Sequence, residues 1–367
     1  MRFPGNDSGI KSAANYISRA QARRLGARIV PPGSVVFPKV GAALLGNARA
    51  RTLRECFIDN NMMAIVPHGG DSRYWLHLFS TIDLGELSPG GPLPYVSEAQ
   101  VREISVPIPP LEEQRRIADF LDDQVTLLRR AESLLIKQEQ LVGEREASLL
   151  QQETSISDAP AIAVKRIVSR LTSGPRGWGS LIADTGIPFI RIGNIPRSGI
   201  ALLPDNLAFV DVPGGAERER TRTRAGDVLV SITADIGSVG LVEEWAIGGN
   251  VSQHVALLRP IVERCHPRWL AYSLKAPSAK MSLTMSSYGG AKVGLGLTNV
   301  AETVIALPSI AEQDRRVRRL DEAMKWADSL RCGLNRQRAL LVERRQALIK
   351  ATVTGQIDVA TAREVGL

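Results

Sequence analysis

The chain is short of the residues that most chemistry needs. Its 367 residues include only three cysteines, Cys56, Cys265 and Cys332, far apart and without a CxxC pair, which argues against a disulfide scaffold and a cysteine-based zinc site. The four histidines, His68, His77, His254 and His266, form no closely spaced metal set with Asp or Glu. There is no GxxxxGK[ST] loop for a translocating ATPase and no Asn/Asp-Pro-Pro-aromatic methyltransferase motif. Asp184, Asp227 and Asp235 could be imagined as a nuclease acid set, but no suitable lysine accompanies them. No window approaches the roughly 18 uninterrupted apolar residues of a membrane span, and the first thirty residues hold no apolar signal-peptide core. A cytoplasmic protein without membrane contact is therefore expected.

Lysine is scarce too: nine lysines stand against 37 arginines, within a net charge of +8. An arginine excess suits phosphate and guanine recognition, because the planar fork donates two hydrogen bonds at once. A GC-rich genome that favours arginine codons would produce the same bias. With 44% hydrophobic residues the length fits two or three ordinary domains.

An internal repeat decides the architecture. VREISVPIPPLEEQRRIADFLDD at 101–123 is echoed by VAETVIALPSIAEQDRRVRRLDE at 300–322, an offset of 199 residues. Held without gaps from Pro109 to Leu150, that offset pairs 42 positions, of which 12 are identical, far above chance. Upstream, PPGSVVF at 31–37 matches RAGDVLV at 224–230 with an offset of 193. The chain thus reads as globular unit, long helix, globular unit, long helix.

Pro109-Pro110 and Pro308-Ser309 give the entry turns of the helices, and an early Glu suits each N-terminus. Within them Leu121, Leu128, Leu135, Val142 and Leu149 recur every seven residues, matched by Leu320, Ala327, Leu334, Leu341 and Leu348. Phe120, Leu127, Leu134 and Leu141 flank the first row, and Trp326 and Leu340 the second, making a wide stripe. Heptads in two helices of matching length predict an antiparallel coiled coil, the alternative being two helices that each pack on their own globular unit. Short runs such as VVFPKV at 35–40, MMAIVP at 62–67, VLVSIT at 228–233 and HVALLR at 254–259 predict strands. RYWLHLF at 73–79 and PRWLAY at 267–272 have helical spacing. The expected fold class is α+β: two mixed α/β domains joined and separated by two long helices.

These residues resemble the DNA specificity subunits of type I restriction-modification systems, whose two target-recognition domains are each followed by a long helix opening with a P-P-L-x-E-Q-x-x-I segment. PPLEEQRRI at 109–117 and the degenerate PSIAEQDRRV at 308–317 carry the likeness. So do GIPFIRIGNI at 186–195, AGDVLVSITADIG at 225–237, NVSQHVALLRP at 250–260, YGGAKVGLG at 288–296 and LIKATVTGQIDV at 348–359. The implied division is a first recognition domain at 1–108, a spacer helix at 109–152, a linker at 153–160, a second domain at 161–307, a second helix at 308–354 and a tail at 355–367. In one departure, the first domain has no counterpart of 161–187: either the true start lies upstream of Met1 or the domain is incomplete.

The resemblance implies a non-catalytic subunit that reads a split target in double-stranded DNA. Its implied partners are modification subunits that use S-adenosylmethionine and restriction subunits that use ATP and Mg2+, with no cofactor on this chain. A stand-alone DNA-binding regulator, a nuclease fused to a recognition domain and an inactive truncated subunit are the alternatives. DNA reading needs side chains at base edges and others on phosphates. The candidates are Lys292 in the Gly-rich loop, Arg176 in SGPRGWG, Arg191, and the pair Gln253-His254, which aligns with Asn60-Asn61. In ERERTRTR at 217–224, an extended chain would set Arg218, Arg220, Arg222 and Arg224 on one face. Lys39, Arg49 and Arg51 are the comparable basic residues of the first domain. Each has a plain alternative as a turn, a strand end or a solvated arginine.

Overall fold

The structure is a computed structural model that describes residue 6 and residues 9–286 and 294–364. Its contacts divide into two units, residues 1–135 with 336–367, and residues 136–335. The division cuts through both long helices instead of following the 153–160 connection.

In the first unit β1 (Val35–Pro38) is the centre of an antiparallel sheet between β2 (Ala50–Arg51) and β3 (Met62–Ile65). Short helices α1 (Arg19–Arg24), α2 (Ala42–Leu45) and α4 (Glu98–Arg102) surround it, together with α3 (Ser72–Ser80). The Asp71 side chain starts α3 by accepting from the Arg73 amide at 2.8 Å. Phe37, Leu44, Leu84 and Val96 form a core beneath the sheet. A second core joins Tyr74 and Leu78 to Ile117, Phe120 and Leu121 of α5 (Leu111–Thr154). It is closed by Ile349 and Val353 of α10 (Ile310–Val353) and by Val359 of α11 (Val359–Glu364). The segment expected as a tail after 355 therefore contains a helix that takes part in the core.

In the second unit β9 (Val228–Ser231) lies in the order β10–β9–β12–β5, with β5 (Val168–Ser173), β10 (Val239–Leu241) and β12 (Val255–Pro260). A second sheet has the order β11–β7–β8–β6, from β6 (Ile182–Ala183), β7 (Ile187–Ile190), β8 (Ala208–Val210) and β11 (Asn250–Val251). β4 (Ala161–Ala163) pairs with β13 (Val304–Ala306). Helices α6 (Ala216–Thr221), α7 (Pro267–Lys275), α8 (Pro277–Met285) and α9 (Leu297–Glu302) complete the unit. Trp269, Leu270 and Tyr272 of α7 pack with Val228, Val230 and Leu258 in its main core.

The repeat is exact in register where sequence identity is weakest. Val35 lies opposite Ile65, and the positions 193 residues later, Val228 and Leu258, are opposite one another. The front segment that only the second copy possesses supplies β5, which pairs along the outer edge of β12. Among the described residues no strand occupies that place beside β3, whose residues are half-buried whereas β12 is buried at every position but Arg259.

Each unit also uses the E-Q segment as a brace. Gln114 Oε1 accepts from the Asp71 amide at 3.0 Å and Nε2 donates to Pro109 O at 2.8 Å. Gln313 Oε1 accepts from the His266 amide at 2.8 Å, while Nε2 donates to Pro308 O at 2.8 Å and Arg264 O at 3.1 Å. Asp71 and His266 are the N-caps of α3 and α7. Tyr74 and Trp269 each donate to a carbonyl just before the long helix, Pro107 O at 2.8 Å and Ala306 O at 3.0 Å. Arg73 and His77 meet Asp122; Arg268 and Tyr272 meet Asp321. Burial opposes ionisation of the Asp122 carboxyl, but His77 and the arginines outweigh it and hold its pKa below the usual value.

The long helices run antiparallel within each unit. Glu132 pairs with Arg345 at 2.9 Å in the first, and Glu146 pairs with Arg331 in the second. Adding 199 to one partner and subtracting it from the other converts each pair into its counterpart. Leu121, Val142, Leu320, Ala327 and Leu334 are buried, and Leu128, Leu135, Leu149, Leu341 and Leu348 half-buried. The stripe is narrower than its sequence pattern: Leu127, Leu134 and Leu141 are 56%, 62% and 52% exposed, and Trp326 and Leu340 are exposed too. Period seven fixes a face of the helix but not how much of it a single partner helix can cover.

Candidate nucleic-acid interface

The second unit contains an open cleft of about 650 Å³ whose walls come from four loops. One wall is the turn after β7, with Arg191 and Asn194; another is the approach to β8, with Leu203, Asp205 and Asn206. Buried Asn194 staples the two, donating from Nδ2 to Leu203 O at 3.0 Å and Asp205 O at 3.2 Å and accepting from the Arg191 amide at 3.0 Å. The turn between β11 and β12 supplies Ser252, Gln253 and His254. Pro175, from SGPRGWG, completes the rim. Gly174 is required there because a Cβ would lie 1.9 Å from Val251 O, so only glycine brings that segment against the turn.

Three sequence candidates, Arg191, Gln253 and His254, thus line one cleft, and Arg176 follows directly on its rim residue Pro175. Arg176 is exposed, with no ion pair or hydrogen bond from its side chain among the described residues. Arg191 donates from Nη2 to Asn206 O at 3.0 Å, which fixes the guanidinium along the wall. The wall continues to the helix pair, since the Gly199 amide donates to Glu146 Oε1 at 3.1 Å and Lys275 Nζ donates to Arg197 O at 2.9 Å. Burial lowers the Lys275 pKa to about 8 against the pull of Glu146.

Other candidates lie elsewhere. The alternating arginines do not share a face, because residues 216–221 form α6: Arg220 turns inward to Thr172 and Ser173 O, and Arg222 sits 3.4 Å from Glu219. Glu217 and Glu219 in the first turn favour a helix there. Arg224 borders a separate hollow beside the buried Asp227–Arg259 pair. Lys292 lies outside the described residues. In the first unit Asn60 and Asn61 form the turn entering β3, as Gln253 and His254 do for β12, and the Lys39 amide donates to Asn61 O at 2.8 Å. Arg49 is engaged inside its own domain, donating to Asn47 O at 2.7 Å and to Ile82 O, and burial lowers its pKa to about 10. Arg51 donates to Ser72 Oγ at 3.0 Å. Both bind the first unit together, which a basic cluster in sequence cannot distinguish from a DNA surface.

Residues 16–137 and 180–336 match the family model described as the type I restriction modification DNA specificity domain. The chain belongs to this family. It is 26% identical over 292 residues to the EcoBI specificity subunit of Escherichia coli, covering 72% of this chain and 60% of the relative. It is 24% identical over 298 residues to the EcoKI specificity subunit of E. coli strain K12, covering 75% and 62%. The chain therefore spans about 60% of the length of these curated relatives. Among solved structures, a chain from a study of complex assembly and conformational transition of the type I R-M system superposes with a TM-score of 0.68 at 19% identity. That match covers 89% of this chain and 83% of the other. The likeness shows the fold, and the two stretches matched by the specificity-domain model correspond to the two copies of the internal repeat. No described helix is long and apolar enough to cross a membrane.

Proposed function

We propose that the chain is the non-catalytic specificity subunit of a type I restriction-modification complex. It reads a bipartite DNA target, one half-site for each recognition domain. The observation that carries this reading is the cleft of the second unit, where Arg191 and the Gln253-His254 turn converge on a framework that the first unit repeats in register. Base-edge and phosphate ligands side by side are what sequence reading requires. The exposed Leu127 and Leu134 of α5 lie seven residues apart and offer a ridge for the modification subunits; restriction subunits join the complex through those subunits. S-adenosylmethionine belongs to the modification subunits and ATP with Mg2+ to the restriction subunits. The test is modified-base sequencing of host DNA with and without the gene. Loss of methylation at one split motif is expected, and an unchanged methylation pattern in a host that expresses the modification subunits would refute the reading.

A further inference from the structure

Within the cleft, one side chain is linked to its neighbours through an imidazole relay. Gln253 Nε2 lies 3.1 Å from His254 Nε2, and His254 Nδ1 lies 3.0 Å from Thr233 Oγ1. An amide NH2 can only donate, so with Gln253 Nε2 facing the ring His254 Nε2 accepts and the ring proton sits on Nδ1, an arrangement with which the Thr233 hydroxyl, able to accept as well as donate, is compatible. The backbone fixes the relay as well, because the Ile232 amide donates to His254 O at 3.0 Å. Exposed Gln253 is left with both lone pairs of Oε1 and one N–H without a partner among the described residues.

That pattern complements a single base. Adenine offers an N6 donor beside the N7 acceptor in the major groove, whereas guanine offers two acceptors, one of which would oppose Oε1. Cytosine satisfies the oxygen and leaves the amide N–H unpaired. Next to Gln253, Ser252 is 5% exposed, and its Oγ is buried without a hydrogen-bond partner among the described residues. Arg191, on the facing wall, spends Nη2 on Asn206 O, and its other N–H groups have no partner among the described residues.

We propose that Gln253 is the specificity-determining residue of the second unit and selects adenine through its major-groove edge, with His254 and Thr233 as positioning residues that hold the amide the right way round. The proposal rests on the cleft being a DNA-recognition surface and adds which base it reads and how.

The experiment selects from a pool of duplexes with a randomised target region, using the full chain in complex with its modification subunits at constant salt. The wild type is expected to enrich a split motif with an A·T pair at one fixed position of one half-site. Gln253→Ala lowers preference for that pair by about 5- to 150-fold and leaves the other positions alone. Gln253→Glu, which can only accept, moves the preference at that position towards cytosine. His254→Phe frees the amide to turn over and relaxes the position to either purine. Thermal melts that match the wild type confirm folded variants. An unchanged motif from both Gln253 variants overturns the proposal, as does a loss spread evenly over both half-sites. A wild-type preference for guanine that disappears in Gln253→Ala also overturns it, since the amide would then be reversed. If the wild type enriches no split motif, the DNA-recognition reading fails and this proposal falls with it.

Discussion

Replacing Gln313 with leucine removes one buried side chain and three hydrogen bonds while nearly conserving volume. The amide is fully buried, and its loss strands the His266 N–H, the Arg264 carbonyl and the Pro308 carbonyl. A stranded buried group costs about 1–3 kcal/mol. Because these backbone groups are only partly buried, about 1 kcal/mol each is the appropriate end of that range, or about 3 kcal/mol in all. For a unit of some two hundred residues this lowers the melting temperature by roughly 6–12 °C. Multidomain unfolding need not be two-state, so the sharper assay is hydrogen exchange over residues 264–275, which should accelerate about 150-fold for a local loss of that size. The equivalent change, Gln114→Leu, strands two groups and should cost about 2 kcal/mol, with its effect confined to residues around Asp71. Gln313→Glu keeps the bond to His266 but sets a carboxylate oxygen against two carbonyls. It should destabilise more than leucine at neutral pH and recover on acidification, when the acid can donate once. A cost below 1 kcal/mol for Gln313→Leu, or faster exchange in both units, would refute the brace.

Leu320→Asp places an unpaired carboxylate at a fully buried seam position and should cost several kcal/mol, read as loss of soluble protein or of cooperative melting; a soluble variant with an unchanged melt would show that the seam does not bury this face. Lys275 has a folded pKa of about 8 against 10.5 in a free chain. Between those values the unfolded chain binds more protons, so this group makes stability rise with pH across that window by about 3 kcal/mol, and Lys275→Met should remove the slope in denaturant titrations at pH 8 and 10.5. Arg176→Ala should weaken binding to all sequences alike and flatten the dependence of log K on log salt by about one unit, whereas a change confined to one base pair would make Arg176 a base reader.

The architecture was legible because its signals are one-dimensional. A 199-residue echo, two heptad rows and matching strand runs predict repeated units and long helices without knowledge of which loops meet. The brace was half visible: Gln114 and Gln313 mark the repeat, but their partners at Asp71 and His266 sit at an offset of 195, masked by loop-length changes. The relay from Thr233 to Gln253 was invisible in its outer half, since its members come from different loops of one sheet. The internal hydrogen bonds of Arg49 and Arg51 were not legible because a guanidinium that donates to its own domain is spelled the same way as one that grips phosphate. Leu127, Leu134 and Leu141 share the seam's period, so hydrophobicity could not tell the buried face from the exposed one.

The first unit is closed by side chains of α10 and α11 that lie roughly two hundred residues downstream of α5's first half. A ribosome adding about 5–20 residues per second needs roughly 10–40 s to travel from residue 135 to residue 336. Throughout that interval Ile117, Phe120 and Leu121 await Ile349, Val353 and Val359, which cover them in the finished protein. The first unit thus matures only after the whole second unit has been translated, and a truncation before Ile349 would leave Ile117, Phe120 and Leu121 uncovered although none of them is lost.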